Sequence, residues 1–312
     1  MSVNRRSELS EFESLEKKSK FIVIIFLIII LIIFLYFIVS FYFGSYFEEI
    51  QGAYENSDYL LTGTILMIVR IAVFISLAYI LFKKWISHEE SHYSDIPFLL
   101  GLFFYIFIFG KVMDIVCYSI YANIKYLGDF SELFLLNMAK LRIGIGVVNI
   151  FPIFLIGIYF YFFRHSLGKQ EFRKEKIARK DTLIFLIIFF SSILIILFLL
   201  PNILYLSYLT GFVTFIGFSL LIWVFVTAYK GKILPEINCL IISIGFILLL
   251  IFNIIFPIFI SLFGVIPSPS QTFAYLTHEG GAITYYTTEG GNLIASVIIL
   301  IGFERKAPYY KL

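Results

Sequence analysis

Two charges stand where hydrocarbon is expected. The run Ile96–Asn123 is long and apolar enough to cross a bilayer, yet Lys111 and Asp114 lie deep within it. At helical spacing Lys111, Asp114, Tyr118, Tyr121 and Lys125 follow one another by steps of 3, 4, 3 and 4, so the strongly polar side chains share one face. An ionised side chain at that depth is costly unless it faces protein, water or a ligand. Arg70 poses the same problem, at the middle of the apolar run Leu60–Phe82. The short connection between these runs makes them antiparallel neighbours, so Arg70 is expected to reach Asp114. Two cations and one anion then form a cluster with one positive charge uncompensated. Its chemistry would be capture of an anion or carboxylate, or a proton-linked switch. The competing role is a packing salt bridge with Lys111 snorkelling or deprotonated.

Other runs offer polar faces that could line the same cavity: Arg142, Gly146 and Asn149; Ser207, Thr210, Thr214 and Gly217; and Asn253, Pro257 and Ser261. Pro152 and Pro257 can break their helices within the membrane. The candidate ligand- or ion-binding residues are therefore Arg70, Lys111, Asp114, Tyr118, Arg142, Asn149 and Asn253. Small and hydroxyl-bearing residues also serve as ordinary glue between membrane helices.

A separate chemistry is written in His88-Glu89-Glu90-Ser91-His92. Two imidazoles one helical turn apart can bind zinc while the intervening Glu activates a water. The five residues resemble the motif of membrane metallopeptidases, which would imply His88 and His92 as metal ligands and Glu89 as the base. The context differs from that family: Glu90 is charged, the run lies in a short connection, and Asp95, His165, Glu171 and Glu175 are the near choices for a third ligand. Zinc is expected only under that alternative; a solvated polar loop needs no cofactor. Walker, G-x-S-x-G and dinucleotide-binding patterns do not occur, and Gly144-Ile-Gly146 lacks both the third glycine and a preceding strand. No nucleic-acid partner is expected.

The elements that must position these residues are membrane helices. The 312-residue chain is 60% hydrophobic and 14% charged, against about half and about a quarter in a soluble domain. The fold expected is an all-α polytopic membrane protein, with one bundle over residues 21–303. Its eight spans are 21–43, 60–82, 96–123, 141–163, 182–200, 203–228, 237–263 and 290–303. The last holds 14 residues, short of the roughly 20 a spanning helix needs. Residues 1–20 read as an amphipathic segment on the cytoplasmic surface, 304–312 as a cytoplasmic tail, and the first span as an anchor rather than a cleaved signal. Nineteen of the 24 Lys and Arg fall in connections on one side and three on the other. The positive-inside rule then puts both termini in the cytoplasm of a cell-membrane protein. The basic stretch 164–181 suits anionic headgroups or a cytoplasmic signalling partner.

Two further readings concern the outer and apolar parts. Ala274–Gly281 recurs loosely as Thr284–Gly291, and the Thr, Tyr and Ile content of both copies suggests an external β-hairpin over 272–287. Cys117 and Cys239 lie in apolar runs near opposite faces and are expected to stay unpaired. Spans two to eight form a seven-helix set, which resembles in topology the seven-helix membrane sensor modules of prokaryotic signalling proteins. That resemblance implies a receptor whose output lies in a separate partner, since only Glu304–Leu312 follows the last run. A small transporter or transporter subunit using the same charges is the second expectation.

Overall fold

The computed structural model describes residues 3–44, 47–57, 59–87, 95–122, 132–166, 172–199, 203–255 and 279–308. Among them every regular element is helical. The helices are α1 (Val3–Tyr42), α2 (Phe47–Asn56), α3 (Leu60–Ser87), α4 (Ile96–Ala122), α5 (Glu132–Ser166), α6 (Phe172–Leu199), α7 (Ile203–Gly231), α8 (Cys239–Leu250) and α9 (Glu279–Glu304), with a π-helical turn Ile251–Ile255 continuing α8. Six stretches are long and apolar enough to cross a membrane: Lys18–Phe41, Leu60–Ser87, Ile96–Ile120, Leu136–Phe162, Gly211–Gly231 and Tyr285–Glu304. Leu183–Leu199 and Cys239–Asn253 are shorter apolar helices.

Six helices pack in a closed circuit. Each of α3, α4, α5, α7, α8 and α9 touches the next in that order, and α9 returns to α3. Helix α6 packs on α5, and α1 touches α2, α3 and α4. The outward faces of α1 and α6 are apolar and exposed, as at Phe26, Ile33, Phe185 and Ile188. That is the pattern of surface facing lipid rather than water. The main core joins the circuit through Phe103, Phe104, Phe218, Leu221, Phe225 and Phe246, all essentially inaccessible. A smaller apolar cluster closes the α2 end, where Ala53, Leu60, Met67, Met113, Cys117 and Tyr285 meet. Cys117 and Cys239 are both free and buried.

The hairpin expectation fails where it can be checked. Residues 272–278 lie outside the described residues, but Ala282–Thr287, the expected second strand, is helical within α9. The reason is environmental. Strand preference of Thr, Tyr and Ile reflects a pleated, half-buried surface more than the backbone. In an apolar surround a helix satisfies its own amides, and Gly and Thr serve as close-packing residues. The same fact supplies the length that residues 290–303 lacked, because the apolar stretch begins at Tyr285. Close packing is visible in α9 against α8. A Cβ on Gly245 would lie 2.4 Å from Ile299, and one on Gly302 would lie 2.6 Å from Ile242.

Two other elements differ from the sequence reading. The acidic connection after α1 contains α2, which buries Ile50 and Ala53 and sets the Tyr54 hydroxyl 3.0 Å from Thr64 Oγ1. Pro152 lies inside the continuous helix α5 instead of ending it; Pro257 lies outside the described residues.

Candidate functional site: a buried ladder of charges

Four helices of the circuit each bring a charge to one level. Arg70 lies ten residues into α3, Lys111 eleven before the end of α4, Arg142 ten into α5 and Glu289 ten into α9. That is about 15 Å of helix from the α2 end in each case. Asp114 stands one turn from Lys111 on α4. The level is the seam between the aromatic core and the smaller cluster at the α2 end.

The charges alternate in sign along a chain of contacts. Arg70 Nη1 donates to Glu289 Oε2 at 2.6 Å. Lys111 Nζ donates to Glu289 Oε1 at 2.7 Å and lies 2.8 Å from Asp114 Oδ2. Arg142 grips Asp114 with two donors, Nε on Oδ1 and Nη2 on Oδ2, the second at 3.0 Å. Such a paired fork is the geometry in which Arg binds carboxylate best. Three cations and two carboxylates leave one positive charge in excess.

The two ends of the ladder differ. Arg70 is fully buried, its guanidinium 5.1 Å from the Phe74 ring and 5.4 Å from the Phe107 ring. Its Nε and Nη2 have no hydrogen-bond partner among the described residues, and the rings supply their contacts. Arg142 ends the other way: its side chain is 23% exposed, against 6–7% for the two carboxylates and Lys111 and 0% for Arg70. Gly110 and Gly146 flank it, with a Cβ on either falling 3.5–3.8 Å from the guanidinium. Its Nη1 takes no part in the grip on Asp114.

Two polar features lie a turn or two away. Two turns along α5 from Arg142, Asn149 is buried and its Oδ1 has no partner among the described residues. On α9, Tyr285, Glu289, Asn292, Ser296, Ile299 and Phe303 recur at steps of 4, 3, 4, 3 and 4, and all six are buried. Asn292 exchanges amide hydrogen bonds with Asn253 of the π turn, at 2.7 and 3.1 Å, while Asn253 also donates to Leu249 O at 2.8 Å. Tyr285 packs edge-on against Tyr118 with ring centres 4.8 Å apart, and its buried hydroxyl has no partner among the described residues.

The structure brings most of the candidate charges together and gives Arg70 a partner other than the one expected. Arg70, Lys111, Asp114 and Arg142 come together, and Tyr118 borders them. Arg70 does not pair with Asp114. Helix α9 packs against α3 and presents Glu289 to Arg70, while Asp114 serves α5. Asn149 and Asn253 do not join the ladder; Asn253 is bonded to Asn292 instead. Glu289 falls outside the expected spans because 272–287 reads as a hairpin and the last span as starting at residue 290, whereas Asn292 lies inside that span with no local signal to mark it. The 4-3-4-3-4 pattern along α9 as a whole was the signal that could have found both. His88, Glu89 and His92 lie outside the described residues, and among the described residues no group of three His, Cys, Asp or Glu could hold a metal ion.

Fold and site together define an all-helical chain with several helices fit to cross a membrane and an alternating ion-pair ladder inside their circuit. Compared with protein-family models, curated proteins and solved structures, the chain matches none.

Proposed function

We propose that the chain is a multi-pass receptor-like protein of the cell membrane that binds a small anionic ligand at the Arg142 end of the ladder and signals through a separate cytoplasmic partner. In this reading eight helices span the bilayer, α6 and α8 with its π turn completing the six. Both termini are cytoplasmic and the α2 end faces outside. Lys140 and Arg142 fall within α5, which leaves Lys125 as the remaining Lys or Arg in the connections on the α2 side. Such an imbalance favours that orientation.

The observation that carries the ligand reading is the excess positive charge together with its location. Arg142 is the most exposed member of the ladder and keeps one nitrogen, Nη1, out of its grip on Asp114. An anion there would neutralise the cluster and complete the guanidinium's bonds. The test is stabilisation of the purified chain by a panel of small carboxylates and by chloride. At least one should raise the melting temperature, and Arg142→Gln should abolish that rise. A rise retained in Arg142→Gln would refute the assignment.

A transporter is the second reading, favoured by the π turn that interrupts α8 beside the Asn253–Asn292 pair. Interrupted helices at mid-membrane often carry substrate or ion sites in transporters. Uptake of a labelled carboxylate into proteoliposomes, abolished by Asp114→Asn, would replace the receptor reading with this one.

A further inference from the structure

A second site lies on the opposite side of α3 and α4 from the circuit's interior. Helix α1 is pinned to α4 at two places: the Tyr105 hydroxyl donates to Leu27 O, and the Phe34 and Phe109 rings lie 4.6 Å apart. Around these contacts α1 stands off, leaving a groove of about 440 Å³ against α3 and α4. Its walls are apolar, with Leu27, Leu31, Ile75, Ala78, Phe82 and Ile108 among them. Water gains nothing in such a space, because it would find few polar partners there. Hydrocarbon fits it. From Ile75 to Ser87 the α3 wall runs thirteen residues, about 18 Å, which is close to one leaflet of a hydrocarbon core about 30 Å thick.

One end of this groove is basic. Lys83 and Ser87 close it on α3, and Lys18 is exposed about two turns before Ile24, where α1 enters the wall. The neighbouring lysines of α3 have separate duties. Lys84 donates to Phe303 O at the end of α9. Lys83 is exposed and makes no contact with a protein acceptor among the described residues. A long apolar slot with an exposed lysine at its mouth is complementary to one class of molecule present in every bilayer.

We propose that this groove binds one acyl chain of an anionic phospholipid, with the lipid phosphate held by Lys83. The lipid would wedge α1 against the circuit and set the spacing between the N-terminal helix and α3. The experiment uses the full chain in nanodiscs of equal phosphatidylglycerol and phosphatidylcholine, with lipid retained after gentle detergent release read by native mass spectrometry. One phosphatidylglycerol per chain should remain, preferred over phosphatidylcholine about fivefold, the share expected of one surface lysine. Lys83→Glu should erase that preference. Ile28 lines the groove on α1 and is half exposed, so Ile28→Trp should leave the fold intact, fill the slot and lose the retained lipid of either kind. Lys83→Gln gives the same readout if the charge reversal does not fold. Equal retention of the two lipids by the parent chain would overturn the proposal. So would undiminished phosphatidylglycerol in Ile28→Trp, which would mean that the basic stretch 164–181 holds headgroups without the groove.

Discussion

Replacing Glu289 by Leu strands a cation that has no second carboxylate among the described residues. Arg70 is fully buried and its one carboxylate partner among the described residues is Glu289, at 2.6 Å. Lys111 fares better, because it keeps Asp114 at 2.8 Å. Breaking a buried pair by removing one member costs about 3–5 kcal/mol, and the Phe74 and Phe107 faces offset about 2 kcal/mol of that at most. Glu289→Leu should therefore destabilise by about 3 kcal/mol. Arg70→Leu should cost less, about 1–3 kcal/mol, because Glu289 retains Lys111 at 2.7 Å. The double variant removes one charge of each sign; Lys111 loses Glu289 but keeps Asp114, and Arg142 keeps its grip on Asp114. It should cost less than the sum of the singles by about 2 kcal/mol. Reversible unfolding of the purified chain in mixed micelles gives the three free energies. Additivity to within about 0.5 kcal/mol would refute the contact. Rescue of Arg70→Leu by Asp114→Leu instead would restore the pairing that the sequence alone suggested.

The same unfolding assay checks the packing of α9. Gly245→Ala drives a Cβ to 2.4 Å from Ile299 and 3.0 Å from the Ala295 carbonyl, and should cost about 1–3 kcal/mol. Gly290→Ala meets nothing within 4 Å and should gain up to about 1 kcal/mol from helix propensity. Asn292→Leu should cost about 1–2 kcal/mol, and adding Asn253→Leu should cost little more, since the two amides serve each other. A protease-sensitive tag after Leu312 should be protected in intact cells if the C-terminus is cytoplasmic; cleavage from outside would reverse the orientation.

Much of the frame could be read from the chain because a bilayer demands long apolar runs, and a charge inside one stands out. Arg70, Lys111 and Asp114 were visible for that reason alone. Arg142 was placed at the mouth of its run, since nothing local marks how far α5 extends before it; the start at Glu132 is a tertiary fact. Glu289 was hidden by its neighbours. A carboxylate beside two glycines and a run of Thr and Tyr has the composition of a turn between strands, and only the partners waiting on α3 and α4 make it a helix residue. Net charge held the clue: two buried cations against one anion asked for another carboxylate, and α9 carried it. The α2 helix was obscured for the opposite reason, being too short and too polar to announce itself by hydropathy.

The pair Arg70–Glu289 joins residues 219 positions apart, and it is the joint at which the last helix of the circuit meets the first. During synthesis Arg70 enters the membrane long before its partner exists. At about 5–20 residues per second the wait is on the order of ten to forty seconds, with Asp114 the sole ladder carboxylate in place until α9 emerges. A nascent chain stalled before α9 would hold cations in hydrocarbon with too few anions to match, a state open to recognition by membrane chaperones and proteases. The completed ladder thus records the arrival of α9: the circuit closes electrically when that helix packs against α3.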